Sequence, residues 1–207
     1  FDGTSRFVDE FEEPAPLNVY AKTKLTGEML VKHANPSTLI IRTNFFGWGP
    51  MYKPSFSDYI FEALIGRRRI CLFSDVFYTP VAMANLVSAV DEMIEQGTSG
   101  LMNVVGNQRL SKYEFGIELA KHFQLDENLI KRSTLDRGKL LAKRPLEMSL
   151  CNDLAKSTLG RDLGSVKDQL ESLSKERING IYELIVEKDQ EIAEDAHEGA
   201  EELARYA

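Results

Sequence analysis

Tyr20 and Lys24 stand four residues apart in the stretch "PLNVYAKTKLTGEMLV". On a helix, positions i and i+4 are neighbours, so the ammonium of Lys24 would lie beside the phenol of Tyr20. A positive charge there favours phenolate and makes the phenol a readier acid. Such a group suits proton donation to an oxygen that gains charge as a carbonyl is reduced. The plain alternative is a half-buried tyrosine beside a solvated lysine, and the spacing alone does not choose between the two.

The elements around the pair are legible from periodicity and punctuation. A helix is predicted from about Val19 to His33, ended by "ANPS", where Pro36 pushes Asn35 out of helical geometry. "STLIIRTN" reads as a parallel strand covered on both faces. "PSFSDYIFEALIGRRR" carries Phe56, Tyr59, Ile60, Ala63 and Leu64 at helical spacing, with Gly66 as the stop. "RICLFS" and "GLMNVVG" are further strands, separated by a helix from about Val81 to Gln96 that ends at Gly97. Ser111 is placed to cap a helix over "KYEFGIELAKHF". "LDENLIKRSTL" is expected as a short helix, and "AKRPLEMSLCNDLAKSTLG" as a loop, a short extended piece and a helix stopped by Gly160. Alternating helices and strands predict an α/β fold with a largely parallel sheet.

Composition removes several function classes. The apolar and charged fractions, 43% and 28%, are those of an ordinary globular domain and exclude a disordered or fibrous chain. No apolar run approaches the roughly 20 residues of a spanning helix, so no membrane partner is expected. Cys71 and Cys151 are expected to be buried free thiols in a reducing cytoplasm. His33, His122 and His197 form no metal-ligand spacing, and no metal site is expected. Of the net charge of −7, residues 174–207 carry −6, leaving about −1 on the body. That distribution gives no footprint for nucleic acid, and Arg67, Arg68 and Arg69 read as a solvated helix end. Residues 174–207 are expected as an acidic helical tail, a place for a homodimer or partner contact.

The phrase "PLNVYAKTKLTGE" followed by "LIIRTNFFGWGP" resembles the carboxy-terminal half of the extended short-chain dehydrogenase/reductase family, whose hallmark is Y-x-x-x-K. The opening "FDG" looks like the end of that family's S-T-D-x-V-F-D-G strand. "SDVFYTPVAMANL" resembles its D-x-x-x-x-P-x-x-x-x-D-L segment, and "RPLEMSLCNDLAKSTLG" the R-P-x-x-x-x-L stretch of its dTDP-4-dehydrorhamnose reductase branch. The four matches occur in family order and cover roughly residues 1–173.

The resemblance implies part of a Rossmann-like doubly wound sheet with a carboxy-terminal substrate-binding subdomain. It implies a nucleotide-sugar substrate and NADP or NAD as hydride source. Tyr20 would be the catalytic acid, and Lys24 would hold the nicotinamide ribose and tune Tyr20. Asn44 would face the nicotinamide and Phe45 the sugar. Phe45 stands where rhamnose-pathway reductases often carry tryptophan, and Phe45, Phe46 and Trp48 read equally well as core aromatics. Arg144 would meet the substrate's diphosphate, for which a guanidinium fork is suited. The family's G-x-x-G-x-x-G turn and its serine or threonine before "FDG" do not occur in these 207 residues. The expectation is therefore a piece of a longer reductase. A nucleotide-sugar epimerase or dehydratase of the same family is the first alternative. A non-catalytic regulatory subunit resembling the methionine adenosyltransferase β subunit is the second.

Overall fold

A computed structural model describes residues 1–50, 52–136, 140–178 and 180 of the chain. Its first element is α1, Val19–Ala34, where Asn18 caps the helix by accepting from the backbone N–H of Ala21 at 2.9 Å. It is followed by the strand β1, Leu39–Arg42, and the short β2, Phe45–Phe46. Helix α2, Phe56–Ile65, starts in a reciprocal capping box between Ser55 and Asp58 and stops at Gly66. Then come β3 (Ile70–Phe73), β4 (Phe77–Tyr78), β5 (Val81–Ala82) and α3 (Met83–Glu95). The helix expected from Val81 thus begins two residues later, because Val81 and Ala82 pair in parallel with Phe45 and Phe46.

The second part of the chain contributes β6 (Gly100–Asn103), β7 (Leu110–Ser111), α4 (Lys112–His122), β8 (Ile130–Ser133), β9 (Glu147–Met148), α5 (Asp153–Leu159) and α6 (Val166–Ile178). Ser111 and Glu114 form the capping box of α4, and Gly160 ends α5 at φ +64° in the left-handed region. The helix expected over "LDENLIKRSTL" is not formed. A single 3-10 turn, Glu127–Leu129, leads into β8, which pairs in parallel with β3 from Ile130↔Ile70 to Ser133↔Phe73. A ladder supplied by a strand some sixty residues earlier overrides the local helix preference.

The architecture is an α/β fold in which parallel pairing predominates. β1 pairs with β6, β2 with β5, and β3 with β8, all in parallel. β4 is central in a three-stranded unit, antiparallel to β7 and parallel to β9. One core cluster gathers Phe46, Trp48, Phe61, Phe115, Leu119 and Leu173 between α2, α4 and α6. A second packs Val81, Met93, Met102, Val104 and Leu159 between β6, α3 and α5. The tail expected from residue 174 continues α6 as far as Ile178, and its remainder beyond Gly180 lies outside the described residues.

Two expectations about burial fail, each for its own reason. β1 is half-buried at all four positions rather than covered on both faces, since among the described residues it pairs only with β6. The thiols are free, but Cys71 is exposed and Cys151 half-buried. β3 alternates, so Ile70 and Leu72 face the core while Cys71 points away from it. Helix α1 likewise buries none of its residues, and Val19, Met29, Leu30 and Val31 stay exposed.

Candidate active site

The amino-terminal segment closes over the carboxyl ends of β1 and β6. Phe7 N–H donates to Ser149 Oγ, Val8 N–H to Ser149 O, and Cys151 N–H to Val8 O, forming a parallel bridge between Val8 and Leu150. Asn103, fully buried and the register partner of Arg42, donates through Nδ2 to Val8 O at 3.0 Å. Gly3 has φ +77°, and a Cβ there would lie 2.5 Å from Pro145 Cβ. Only glycine allows both that backbone conformation and that approach. The "FDG" turn is thereby locked against the "RPLE" loop.

Tyr20 and Lys24 lie on the first turns of α1, and Lys24 Nζ is 5.6 Å from the centroid of the Tyr20 ring. Both are exposed, Tyr20 by 71%. With Phe1, Pro14, Pro16 and Arg42 they line an open depression of 220 Å³. One helical turn past Lys24, Glu28 holds Arg42 through a fork, with Nε to Oε1 at 2.9 Å and Nη2 to Oε2 at 2.7 Å. Tyr20, Lys24 and Glu28 thus share one face of α1 at i, i+4 and i+8. The guanidinium of Arg42 lies 5.1 Å from the Phe1 ring centroid. Its Nη1, together with Thr43 Oγ1 and Asn103 Oδ1, is buried without a hydrogen-bond partner among the described residues. These groups cluster at the carboxyl ends of parallel strands, where α/β sheets bind ligands.

The other expected residues are placed as follows. Asn44 Nδ2 donates to Met148 O at 2.9 Å, and its backbone carbonyl accepts from Val81 N–H, tying the β1–β2 junction to β9 and β5. Phe45 is 57% exposed beside it, whereas Phe46 and Trp48 enter the core. Trp48 Nε1–H donates to Leu173 O at 3.0 Å. Arg144 is exposed in the loop before β9, and Asn18 Nδ2 anchors that loop to the start of α1 by donating to Lys143 O at 2.8 Å. The fold therefore puts Tyr20 and Lys24 in one depression, with Asn44 and Phe45 at the next strand end and the Arg144 loop fastened to the helix cap. Among the described residues, no three His, Cys, Asp or Glu side chains converge on a metal position, and no helix is long and apolar enough to cross a membrane.

Sequence reasoning did not find Arg42 with Glu28, or Arg109 with Glu147. Arg109 donates through Nε at 2.8 Å and Nη2 at 2.5 Å to Oε2 of Glu147, which is 7% exposed. The one signal for Arg42 is a lone charge at the end of the apolar run "LIIR". Burial pushes the Glu147 carboxyl up, and hydrogen bonds from Arg109 and Ser149 outweigh it, leaving the group below its ordinary range.

The fold is of the Rossmann-like α/β class, and the similarity to known proteins agrees. The chain matches the RmlD substrate binding domain over residues 1–178, and it belongs to that family. It is 30% identical over 178 residues to the probable low-salt glycan biosynthesis reductase Agl14 of Haloferax volcanii, covering 84% of this chain and 59% of that protein. It is also 30% identical over 168 residues to methionine adenosyltransferase 2 subunit beta of Pongo abelii, covering 77% and 49%. Among solved structures, a hypothetical dTDP-4-dehydrorhamnose reductase from Sulfolobus tokodaii superposes with TM-score 0.68 at 30% identity, over 80% of this chain and 57% of that one. The NADP complex of the dTDP-4-dehydrorhamnose reductase from Bacillus anthracis shares the fold at TM-score 0.76 and 23% identity, over 85% and 62%. The chain spans from about half to three fifths of the length of these relatives.

Proposed function

We propose that this chain is the substrate-binding part of a cytoplasmic nucleotide-sugar reductase of the dTDP-4-dehydrorhamnose reductase type, with Tyr20 as its proton donor. The observation that carries the reading is the face of α1 on which Tyr20, Lys24 and Glu28 succeed one another, opening on the depression at the strand ends. The phenol and the three-donor ammonium suit a nicotinamide ribose. When bound, NADP or NAD supplies the hydride for reduction of the sugar's keto group. Tyr20 gives its phenolic proton to the oxygen that gains charge, and Lys24 holds positive charge beside the phenolate left behind. Phe45, exposed at the strand end, offers an apolar wall for the sugar ring, and Asn44 is fixed next to it by its bond to Met148. Arg144, free of any hydrogen bond or ion pair to a described residue, is available for the diphosphate. The division at residue 173 into a reductase portion and an acidic tail belongs to the same reading.

The test uses the longer protein that contains this chain. NADPH oxidation with a dTDP-4-keto sugar should fall by at least about 100-fold in Tyr20→Phe, the scale of a lost general acid. Turnover equal to wild type would remove Tyr20 from the role.

A second reading rests on the similarity to methionine adenosyltransferase 2 subunit beta. In it the fold serves protein association, and α1's exposed apolar residues would be covered by a partner. A tight partner complex that persists in Tyr20→Phe, without carbonyl reduction by wild type, would favour it.

A further inference from the structure

Lys112 opens α4 as the first residue after the Ser111 cap, and its backbone N–H donates to Val76 O at 2.9 Å. Its side chain runs onto β4. Nζ lies 3.3 Å from the centroid of the Tyr78 ring and 4.6 Å from that of Phe56. Both rings are fixed from behind by the fully buried Phe115, with Phe56 stacked on it at 5.9 Å and Tyr78 edge-on at 5.9 Å. Because side chains alternate along a strand, Tyr78 faces away from Phe77, over whose ring Arg109 is paired with Glu147.

The ammonium has no anion to balance it. Lys112 Nζ makes no hydrogen bond or ion pair to a described residue, and it is not among the buried unpartnered atoms, so it reaches solvent. The charged groups of the surrounding elements are engaged elsewhere. Glu114 Oε2 accepts from Ser111 N–H at 2.7 Å, Asp58 Oδ2 accepts from Gly49 and Ser55 N–H at 2.8 Å each, and Arg132 lies over the Tyr113 ring. A helix N-terminus carries partial positive charge and disfavours a cation at its first residue. The ring faces attract the cation, burial acts against it, and the pKa falls from 10.5 to about 8. A second group points to the same place. The Tyr78 hydroxyl, on a residue 3% exposed, is buried without a hydrogen-bond partner among the described residues. Burial pushes this phenol well above its ordinary value, so it keeps its proton and remains a donor. An unpaired donor thus sits on the ring that carries the amine. A carbonyl group attached to Nζ would bring its oxygen within reach of that hydroxyl and satisfy it.

We propose that Lys112 is a covalent acceptor site for an activated short acyl group, with Nζ as nucleophile and the Tyr78 hydroxyl as donor to the carbonyl oxygen. The ammonium first gives a proton to water. The Nζ lone pair then attacks the carbonyl carbon, and charge gathers on the oxygen that the Tyr78 hydroxyl meets. The bond from that carbon to the leaving phosphate oxygen or thiolate sulfur breaks, and the leaving group departs with the electron pair. The nitrogen gives a second proton to water and an amide remains. Nothing is oxidised or reduced. Acylation removes the charge from a half-buried position and sets the alkyl end of the acyl group against the Phe56 and Tyr78 rings. The site uses neither Tyr20 nor Lys24 and does not depend on the nucleotide-sugar reading.

The full chain, treated at about pH 8 with acetyl phosphate and in parallel with the thioester S-acetyl-N-acetylcysteamine, tests the site when acetylation of each lysine is timed by peptide mass spectrometry. Lys112 should react at least about tenfold faster than the exposed Lys22 and Lys167, because about half of it is free amine there against roughly 1% or less for an ordinary lysine. Its rate should level off above about pH 8, whereas that of a short lysine peptide keeps rising to about pH 10. Tyr78→Phe keeps the ring and loses a hydroxyl that has no partner, so it should fold at least as well as wild type. The same variant should slow acetylation of Lys112 by about tenfold or more and leave that of Lys22 unchanged, the mark of a lost donor to the carbonyl oxygen. Preference for Lys112 with either donor supports the site and tells a phosphate leaving group from a thiolate. Reaction at Lys112 no faster than at Lys22 and Lys167 with both donors, or a rate undiminished in Tyr78→Phe, would overturn the proposal.

Discussion

Asn18 and Lys143 join the candidate proton donor to the candidate anion loop. Asn18 Oδ1 accepts from Ala21 N–H at 2.9 Å and so starts the helix that carries Tyr20, while Asn18 Nδ2 donates to Lys143 O at 2.8 Å and holds the residue before Arg144. One side chain thus fixes two segments that are remote in sequence. Asn18→Asp keeps a capping oxygen and loses the donor to Lys143, whereas Asn18→Ala loses both. The alanine variant should cost about 1 kcal/mol in urea unfolding, the usual value of a helix cap, and the aspartate variant clearly less. Hydrogen exchange around residues 143–146 should quicken in both. Equal stability losses in the two would show that the cap is not the main contribution.

Glu28 and Arg42 fasten α1 to β1 through a fork whose side chains are 23% and 13% exposed. At that burial the loss of one partner is expected to cost about 3 kcal/mol, because the other charge stays poorly solvated. Arg42→Met with Glu28→Gln in one chain should recover much of this, since neither charge remains. A double-mutant cycle in urea measures the coupling. Additive losses would mean that the fork contributes little beyond side-chain packing.

Much of this architecture is legible where local chemistry and tertiary pairing agree. Ser111 is recognisable as a cap because Glu114 sits three residues on, and the reciprocal bonds form within one turn. Gly160 and Gly66 end helices where a residue lacking Cβ is expected to. β8 was not legible, since "IKRS" has one apolar residue and becomes a strand only by pairing with β3. The apolar residues of α1 show amphipathic spacing, but their exposure depends on which layer covers them, and spacing carries no such information. At the candidate site, Tyr20 and Lys24 are adjacent on one helix and declare themselves. Arg109 and Glu147 are 38 residues apart, and only the β7-β4-β9 arrangement makes them a pair.

Glu147 should make the fold acid-labile in a specific way. Its carboxyl is held below the ordinary value, so the folded state binds that proton less readily than the unfolded chain. The stabilisation is full above the unfolded value of 4.5 and is lost as pH falls through the folded value. Glu147→Gln should therefore be less stable than wild type at neutral pH, with the difference shrinking below about pH 4. Thermal melts of both proteins across that range provide the comparison. A difference that stays constant with pH would place the stabilisation in packing rather than in charge.

Lys112 should leave its signature at alkaline pH instead. Its Nζ sits 3.3 Å from the Tyr78 ring centroid and 4.6 Å from that of Phe56, and burial lowers its pKa from 10.5 to about 8. A lysine depressed in the fold binds its proton more weakly there than when unfolded. Between about pH 8 and 10.5 the unfolded chain holds the extra proton, so this group's contribution to stability rises with pH across that window. The rise is limited to about 3 kcal/mol by the size of the shift, and the two rings, which favour the cation, reduce it. Lys112→Met should be more stable than wild type below pH 8, and its advantage should decline through the window as the wild-type amine loses its charge. Urea unfolding at pH 7, 9 and 10.5 measures this difference. Should the methionine variant be no more stable than wild type at pH 7, the aromatic rings would be compensating the buried charge in full.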